Sequence, residues 1–347
     1  MNLSRVAVGA LTCLVLAGCG DSTAGPSEAP FTLPVGSTEW DVGAPAWFHV
    51  DTLHVGEETV RLGKGVDEFV LGATGVYWVR SGVLMFTDAE GASQEVADVG
   101  WTNLAVSADR SVLATVDQSH GPTDRYGTRV IQLAVFDTTT GEQLYRTPDE
   151  EPDRGDDLAD LYSETMPLLD GVSDERAFFD DATIDLADGS ATPLSLDDER
   201  VEFYEGYAET LFHDGYRVNL RVDGARRMLA ESSAHGTGLL SPDRSTIFDT
   251  THWPTDAVAY DATTGRRRAI DAPWEHFTLA GWSDEDTFFG VAEQIDENQD
   301  NVLQAQQVVT CKLRTLACTP ASPVIAVEAA GERRPTTFLL EGSRYPY

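Results

Sequence analysis

A short acidic segment near the C-terminus has the residue types and the spacing of a calcium-binding loop. Asp296, Asn298 and Asp300 alternate as in the first half of such a loop, in which oxygen-bearing side chains surround a hard cation. The second half of the pattern is missing, because Asn301 replaces the expected glycine and Gln307 replaces the expected bidentate glutamate. Calcium is the only cofactor that the sequence suggests. The favoured interpretation of this segment is a solvated polar loop between two strands, without a bound metal.

The N-terminus has the features of an export signal. Arg5 precedes an apolar run, Val6 to Leu16, which is too short to remain in a bilayer about 30 Å thick as a permanent helix. The tetrapeptide Leu16-Ala17-Gly18-Cys19 resembles the lipobox of bacterial lipoproteins. That resemblance implies cleavage before Cys19 and attachment of a diacylglycerol to its thiol. An ordinary secretory signal with an incidental cysteine is the alternative.

Two further cysteines have the spacing of a disulfide within a hairpin. Cys311 and Cys318 are separated by six residues, which suits two antiparallel strands joined by a tight turn. Export would place both thiols in an oxidising compartment. A metal site is the alternative, but no third cysteine and no nearby histidine would complete it. We therefore expect a structural disulfide.

The chain is strongly acidic. Its 347 residues include 58 Asp and Glu but 24 Lys and Arg, which gives a formal net charge of -34. Such a surface repels phosphate, so nucleic acid is excluded as a partner, and membrane attachment would depend on acyl chains at Cys19. Only Lys64 and Lys312 are lysines, and in this preference for arginine the chain resembles lipoproteins common in actinobacteria. The acidity is interpreted as a means of solubility, with a cationic partner as the alternative.

A second acidic run extends from Asp149 to Asp157 and is interrupted by Pro152 and Gly155. Its charge density and its two residues that break regular structure predict a surface loop. Binding of a cation or of a basic partner is one interpretation of this run. A mobile insertion between two repeats is the favoured one.

Strand-turn-strand segments recur along the whole chain. Residues 134–141 and 257–265 are near copies, in which an alternating strand leads to an aspartate that can cap a turn and to a glycine that can adopt positive φ. Seven such turns lie at Gly56, Gly91, Gly141, Gly189, Gly224, Gly265 and about Leu316. Their mean spacing of about 43 residues matches the ~40–50 residues of a four-stranded propeller blade. The sequence therefore predicts an all-β fold, a single β-propeller of seven four-stranded blades.

A second recurring pattern, a Ser-x-Asp turn followed by an apolar strand, accompanies these hairpins. It occurs at Ser107–Arg110, Ser173–Arg176, Ser241–Arg244 and Ser283–Asp286. The pattern resembles WD-repeat-like and Tol-system periplasmic propellers, and the resemblance covers most of residues 36–345, although the Gly-His and Trp-Asp pair of true WD repeats is absent. A tandem of β-sandwiches is the alternative fold. Residues 336–340 are expected to pair with the short first blade and so close the ring.

These observations predict three regions: a signal peptide at residues 1–18, an acylated Cys19 with a flexible linker at residues 19–35, and a propeller at residues 36–347. The linear motifs of metalloproteases, α/β-hydrolases and penicillin-recognising serine enzymes do not occur, so no catalytic residue is assigned. We expect an extracytoplasmic monomer, anchored by lipid to the outer face of the cell membrane, whose propeller binds a protein or glycan. A propeller hydrolase or lyase that acts on envelope or extracellular carbohydrate is the alternative.

Overall fold

The chain was analysed as a computed structural model, which describes residues 29–40, 45–100, 103–107, 109–153, 155–180, 182–193, 212–214, 217–222, 225–231, 238–241, 245–249, 258–261, 266–274, 276–284, 286–296, 302–326 and 338–342. These residues form 28 β-strands and one short α-helix, so the described chain is nearly all β. None of its described helices is both long and apolar enough to cross a membrane.

The strands form seven antiparallel sheets in chain order within the described residues. Sheet 1 contains β1 (Ala46–His49), β2 (Thr52–Val55) and β3 (Glu58–Arg61). Sheet 2 contains β4 (Glu68–Leu71), β5 (Gly75–Arg80), β6 (Val83–Asp88) and β7 (Ser93–Asp98). Sheet 3 contains β8 (Leu104–Val106), β9 (Val112–Asp117), β10 (Gln132–Asp137) and β11 (Gln143–Arg146), and is followed by the helix α1 (Leu158–Glu164).

The remaining sheets follow the same order. Sheet 4 contains β12 (Leu169–Val172), β13 (Arg176–Phe179), β14 (Ala182–Asp185) and β15 (Ala191–Pro193). Sheet 5 contains β16 (Phe212–Asp214), β17 (Arg217–Val222) and β18 (Ala225–Glu231). Sheet 6 contains β19 (Gly238–Leu240), β20 (Thr246–Asp249), β21 (Val258–Asp261) and β22 (Arg267–Arg268). Sheet 7 contains β23 (His276–Asp284), β24 (Thr287–Asp296), β25 (Val302–Lys312), β26 (Cys318–Pro320) and β27 (Ile325–Ala326), which pairs with β25.

The last strand, β28 (Leu339–Leu340), returns to the start of the chain and joins sheet 1. It pairs antiparallel with β1, with Leu340 opposite Trp47 and Leu339 opposite Phe48. Sheet 1 thus combines strands from early and late in the chain, which confirms the expected pairing for residues 339 and 340, while residues 336 and 337 lie outside the described residues. β1 is thus paired on both of its sides, by β28 and by β2.

Apolar clusters join neighbouring sheets in the described part of the chain. Alternate residues of one strand point to opposite sides, so Phe69 and Leu71 pack towards sheet 1 while Val70 packs towards sheet 3. Further clusters join sheets 3 and 4 and sheets 6 and 7. Another cluster packs Val291 of sheet 7 against Trp47 of sheet 1. The fold is a β-propeller closed in this way, and its total of seven blades stays a prediction.

The repeated turns have the local structure that the sequence predicts. In the turn between β10 and β11, the Asp137 carboxylate accepts hydrogen bonds from the backbone N–H of Thr139 at 2.7 Å and of Thr140 at 2.9 Å. Gly141 then adopts a φ of 77°, which the absence of a Cβ allows. The corresponding position of sheet 7 is Leu316, with a φ of 57°. Each predicted hairpin whose turn the structure describes thus joins an edge strand of its sheet to the strand beside it.

The predicted linker extends to residue 35, but the segment before the first sheet packs against the propeller and so makes the linker shorter. Leu33 is 4% exposed, and its backbone N–H donates to the carbonyl of Gly141 at 3.0 Å. The Pro34 carbonyl accepts a hydrogen bond from the Tyr77 hydroxyl at 2.8 Å. Phe31 and Leu33 therefore pack between sheets 2 and 3, in the cluster that joins those sheets.

The contact between this segment and sheet 3 predicts a difference between two glycine substitutions. A Cβ on Gly141 would lie 2.0 Å from the Leu33 carbonyl oxygen, whereas a Cβ on Gly91, at a φ of 87°, would meet nothing within 4 Å. Both alanine variants carry the cost of positive φ, about 1–2 kcal/mol. We expect Gly141→Ala to lower the free energy of unfolding by roughly 1–3 kcal/mol more than Gly91→Ala, measured by urea denaturation. Equal losses would contradict the packing of the segment.

The structure contains the disulfide that the cysteine spacing predicts. Cys311 and Cys318 face each other in the paired strands β25 and β26, and their sulfurs are bonded at 2.00 Å. Cys311 is fully buried in the cluster that joins sheets 6 and 7. The bond therefore fixes the outer hairpin of sheet 7 against its core.

Removing this disulfide is expected to cost moderate stability. The bond closes a loop with a sequence separation of 7, so the chain-entropy relation gives about 2–3 kcal/mol. The double variant Cys311→Ala and Cys318→Ala should lose about this amount of stability, measured by urea denaturation. Dithiothreitol should lower the urea midpoint of the natural protein but not that of the variant. Two free thiols in the mass spectrum of the native protein would overturn the assignment.

Candidate functional site

Sheet 3 carries the longest connections of the sheets whose loops are described. Strands alternate in direction, so loop 118–131 between β9 and β10 and connection 147–168, which includes α1, lie at the same end of the sheet. We call this the connection end. The corresponding loops of sheets 1 and 2 are only residues 50–51 and 81–82. Sheet 3 therefore presents the most extensive additional surface in the described part of the propeller.

A row of buried polar side chains crosses sheet 3 at its connection end. Asp117 ends β9, Gln132 begins β10 and Arg146 ends β11, and all three lie on the same face of the sheet. The Arg146 Nη2 donates to Asp117 Oδ2 and to Gln132 Oε1, each at 2.7 Å. The side chains of Arg146 and Asp117 are 1% and 0% exposed. Two opposite charges removed from water in this way are stable only when they pair directly with each other, as Arg146 and Asp117 do.

The same carboxylate holds the start of loop 118–131. Asp117 Oδ1 accepts hydrogen bonds from the backbone N–H of Ser119 at 2.8 Å and of His120 at 3.2 Å. His120 Nδ1 lies 3.0 Å from both carboxylate oxygens of Asp117. A ring nitrogen beside a carboxylate carries the proton, so the neutral imidazole has Nε2 as its acceptor. The ring of His120 is further flanked by Phe31, at 5.7 Å between centroids.

A second carboxylate joins the rest of the loop to α1. Asp124 Oδ1 accepts from the backbone N–H of Tyr126 at 2.9 Å and of Thr128 at 2.8 Å. Asp124 Oδ2 accepts from the backbone N–H of Leu158, the first residue of α1, at 2.9 Å. Residues 122–130 form a small hairpin around this carboxylate. The hairpin and the helix are therefore one connected structure at the connection end.

The hydrogen bonds that Asp124 accepts also determine its ionisation. Burial acts to raise the pKa of this carboxyl group, but the backbone donors, Leu158 foremost, outweigh it and hold the pKa below its usual value. Tyr162 of α1 accepts from the backbone N–H of Ile131 at 3.1 Å. Burial raises the pKa of Tyr162, and the nearby Asp180 and Asp124 raise it further. At neutral pH an ionised Asp124 and a neutral Tyr162 thus connect the two elements.

The site residues predicted from sequence lie elsewhere in the chain. Asp296 ends β24 opposite Val302, while Asn298 and Asp300 lie outside the described residues, as does Cys19. Within the described residues, no group of three His, Cys, Asp or Glu side chains has the arrangement of a metal site. The calcium loop stays a prediction, and comparing the thermal midpoint in calcium and in EDTA tests it.

Comparisons with known proteins show similarity only at the level of structure. No protein-family profile matches the chain, and no curated protein sequence matches it. Similar solved structures include a putative TolB from Agrobacterium tumefaciens (9% identity, 81% of this chain and 88% of that chain, TM-score 0.38) and TolB from Acinetobacter baumannii (10% identity, 86% and 65%, TM-score 0.38). An acylaminoacyl peptidase from Pyrococcus horikoshii is also similar (10% identity, 78% and 47%, TM-score 0.42). The chain therefore spans less than half of the peptidase and just under two thirds of the second TolB.

Sequence reasoning did not single out Asp117 and His120, which the structure brings together. The available signal was local: an aspartate at the end of a strand, followed three residues later by a histidine, as in Asp117-Gln118-Ser119-His120. Arg146 lies far from this segment in sequence. Its role depends on the register of β9, β10 and β11, and no single segment of the sequence specifies that register.

Proposed function

We propose that this protein is an exported lipoprotein whose propeller binds a protein or glycan partner without transforming it. Acylated Cys19 would anchor it to the outer face of the cell membrane, and the chain up to residue 30 would form the tether. The resemblance of Leu16–Cys19 to a lipobox supports the anchor. The packing of Leu33 on Gly141 shortens the free part of that tether.

The binding role is supported by the set of hydrogen bonds that the Asp117 carboxylate accepts. Its carboxylate receives the Arg146 guanidinium, two backbone N–H groups and the His120 ring, so its oxygens are committed to holding loop 118–131 in one conformation. A loop fixed before its ligand arrives loses less conformational entropy on binding. The buried row thus keeps loop 118–131 rigid, and a rigid surface is what a recognition protein requires.

One observation favours the second candidate, a hydrolase or lyase that acts on extracellular carbohydrate. An imidazole oriented by a carboxylate through Nδ1, as His120 is by Asp117, is the arrangement of many general bases. Under this proposal Nε2 of His120 would accept the substrate proton. His120→Gln would then abolish release of reducing sugar from envelope polysaccharide, whereas a binding protein releases none before or after the substitution.

The anchor is tested by fractionating cells that express the natural chain and two cysteine variants. We expect Cys19→Ala to remove acylation and to release the protein from the membrane fraction, with the mature N-terminus read by mass spectrometry. Cys13→Ala is the matched control, because Cys13 lies within the apolar run that is cleaved off, and it should remain membrane-bound. Membrane fractionation of Cys19→Ala equal to that of the natural chain would refute the anchor.

A further inference from the structure

The connection end of sheet 3 exposes apolar side chains in an acidic surrounding. Tyr126 at the tip of the hairpin is 58% exposed and Leu161 of α1 is 52% exposed. Leu168, just before β12, is 44% exposed. Asp124 bonds to the backbone of both Tyr126 and Leu158, so the hairpin tip and the first turn of α1 belong to one surface. We call Tyr126 and Leu161 the apolar patch.

Carboxylates dominate the chain around this patch. The exposed acidic residues of connection 147–168 are Asp149, Glu150, Glu151, Asp153, Asp156, Asp157, Asp160 and Glu164. Arg125 is the exposed cation closest to the patch in sequence, and its guanidinium lies over the Tyr126 ring at 4.5 Å. Tyr126 stays 58% exposed beside this cation.

We propose that the apolar patch docks a basic segment of a partner protein, one in which Lys or Arg alternates with apolar residues. Charge complementarity selects this occupant, since an acidic segment, a phosphate backbone or an anionic lipid surface would be repelled. The exposed Leu161 and Tyr126 require apolar side chains on the partner as well, because burial of apolar area provides the affinity while the carboxylates provide the rate of encounter. This inference deepens the proposed binding function and rests on it.

The test uses the full chain in detergent and two synthetic peptides of equal charge, one of Lys and Leu and one of Lys and Ser. We expect the Lys-Leu peptide to bind at least tenfold more tightly, in a salt-dependent manner. The double variant Leu161→Ser and Tyr126→Ser should remove that difference and leave binding of the Lys-Ser peptide unchanged. Val50→Ser is the matched control, since Val50 is 60% exposed at the connection end of sheet 1.

Three outcomes would overturn the proposal. Equal affinity for both peptides would show attraction by charge alone. An equal effect of Val50→Ser would place the contact elsewhere on the propeller. Self-association of the chain that the double variant abolishes would make a second copy the occupant. The proposed binding function itself survives the first two outcomes, because a partner of different chemistry would then use another surface.

Discussion

A chain that ends at Thr337 is expected to lose cooperative folding, because it lacks the strand that closes the ring. Phe338, Leu339 and Leu340 are 1%, 3% and 0% exposed, and they pack between sheets 7 and 1 and against sheet 2. Full burial of each such side chain stabilises the fold by about 1.5–3 kcal/mol. The total of roughly 4.5–9 kcal/mol is comparable to the whole stability of a typical domain. Circular dichroism and urea denaturation measure the loss.

A chain that ends at Gly342 is the control for this truncation. It keeps β28 and also Glu341, whose carboxylate accepts from the backbone N–H of Leu71 at 2.8 Å and pairs with Arg110 at 3.2 Å. We expect this chain to unfold at the urea concentration of the natural protein. Identical unfolding of the two truncated chains would show that β28 does not close the ring.

Arg146→Leu is expected to destabilise the protein by about 3–5 kcal/mol, the second largest effect. The substitution leaves the Asp117 carboxylate buried without the guanidinium that compensates its charge, and also leaves Gln132 Oε1 without its donor. Urea denaturation gives the magnitude. The double variant Asp117→Asn and Arg146→Leu should recover part of the loss, because an amide costs far less to bury than a charge.

An exposed ion pair of the same geometry is the control for this prediction. Arg61 donates to Asp51 at 2.8 Å, but the side chain of Arg61 is 80% exposed. Water and salt screen this pair, so Arg61→Leu should change stability by less than about 1 kcal/mol. Equal effects at Arg61 and Arg146 would contradict the account of the buried row.

The repeats made the architecture predictable from sequence, because each turn has its own local chemistry. Asp137 and Gly141 define a turn through hydrogen bonds and positive φ that depend on neighbours in sequence alone. The return of residues 339–340 to sheet 1 followed from the need to cover two edges. Leu316 occupies the turn position of sheet 7 with positive φ despite its side chain, and the adjoining disulfide marked this hairpin in the sequence.

The candidate site was not predictable in the same way, because its members meet only after three strands have paired. Arg146 is 29 residues from Asp117 in sequence. In the sequence alone, each of these two residues looks like an ordinary charged residue on the surface. The acidic run 149–157 was predicted to be a mobile insertion, and nothing in the sequence indicated that Asp124 and Tyr162 would connect loop 118–131 with the helix that follows this run. Leu33 was assigned to a linker for a related reason, since its partner Gly141 lies in another sheet.

The most direct test of the account is photo-crosslinking in living cells with a photoreactive amino acid placed at Leu161 and, in a separate strain, at Val50. Both positions are exposed at the connection end, Leu161 in the helix that follows sheet 3 and Val50 in the loop between β1 and β2 of sheet 1. We expect a discrete adduct of increased mass at Leu161, absent at Val50 and lost when Tyr126→Ser is combined with it. The absence of any adduct at Leu161, or the same adduct at both positions, would contradict a propeller that binds its partner through sheet 3.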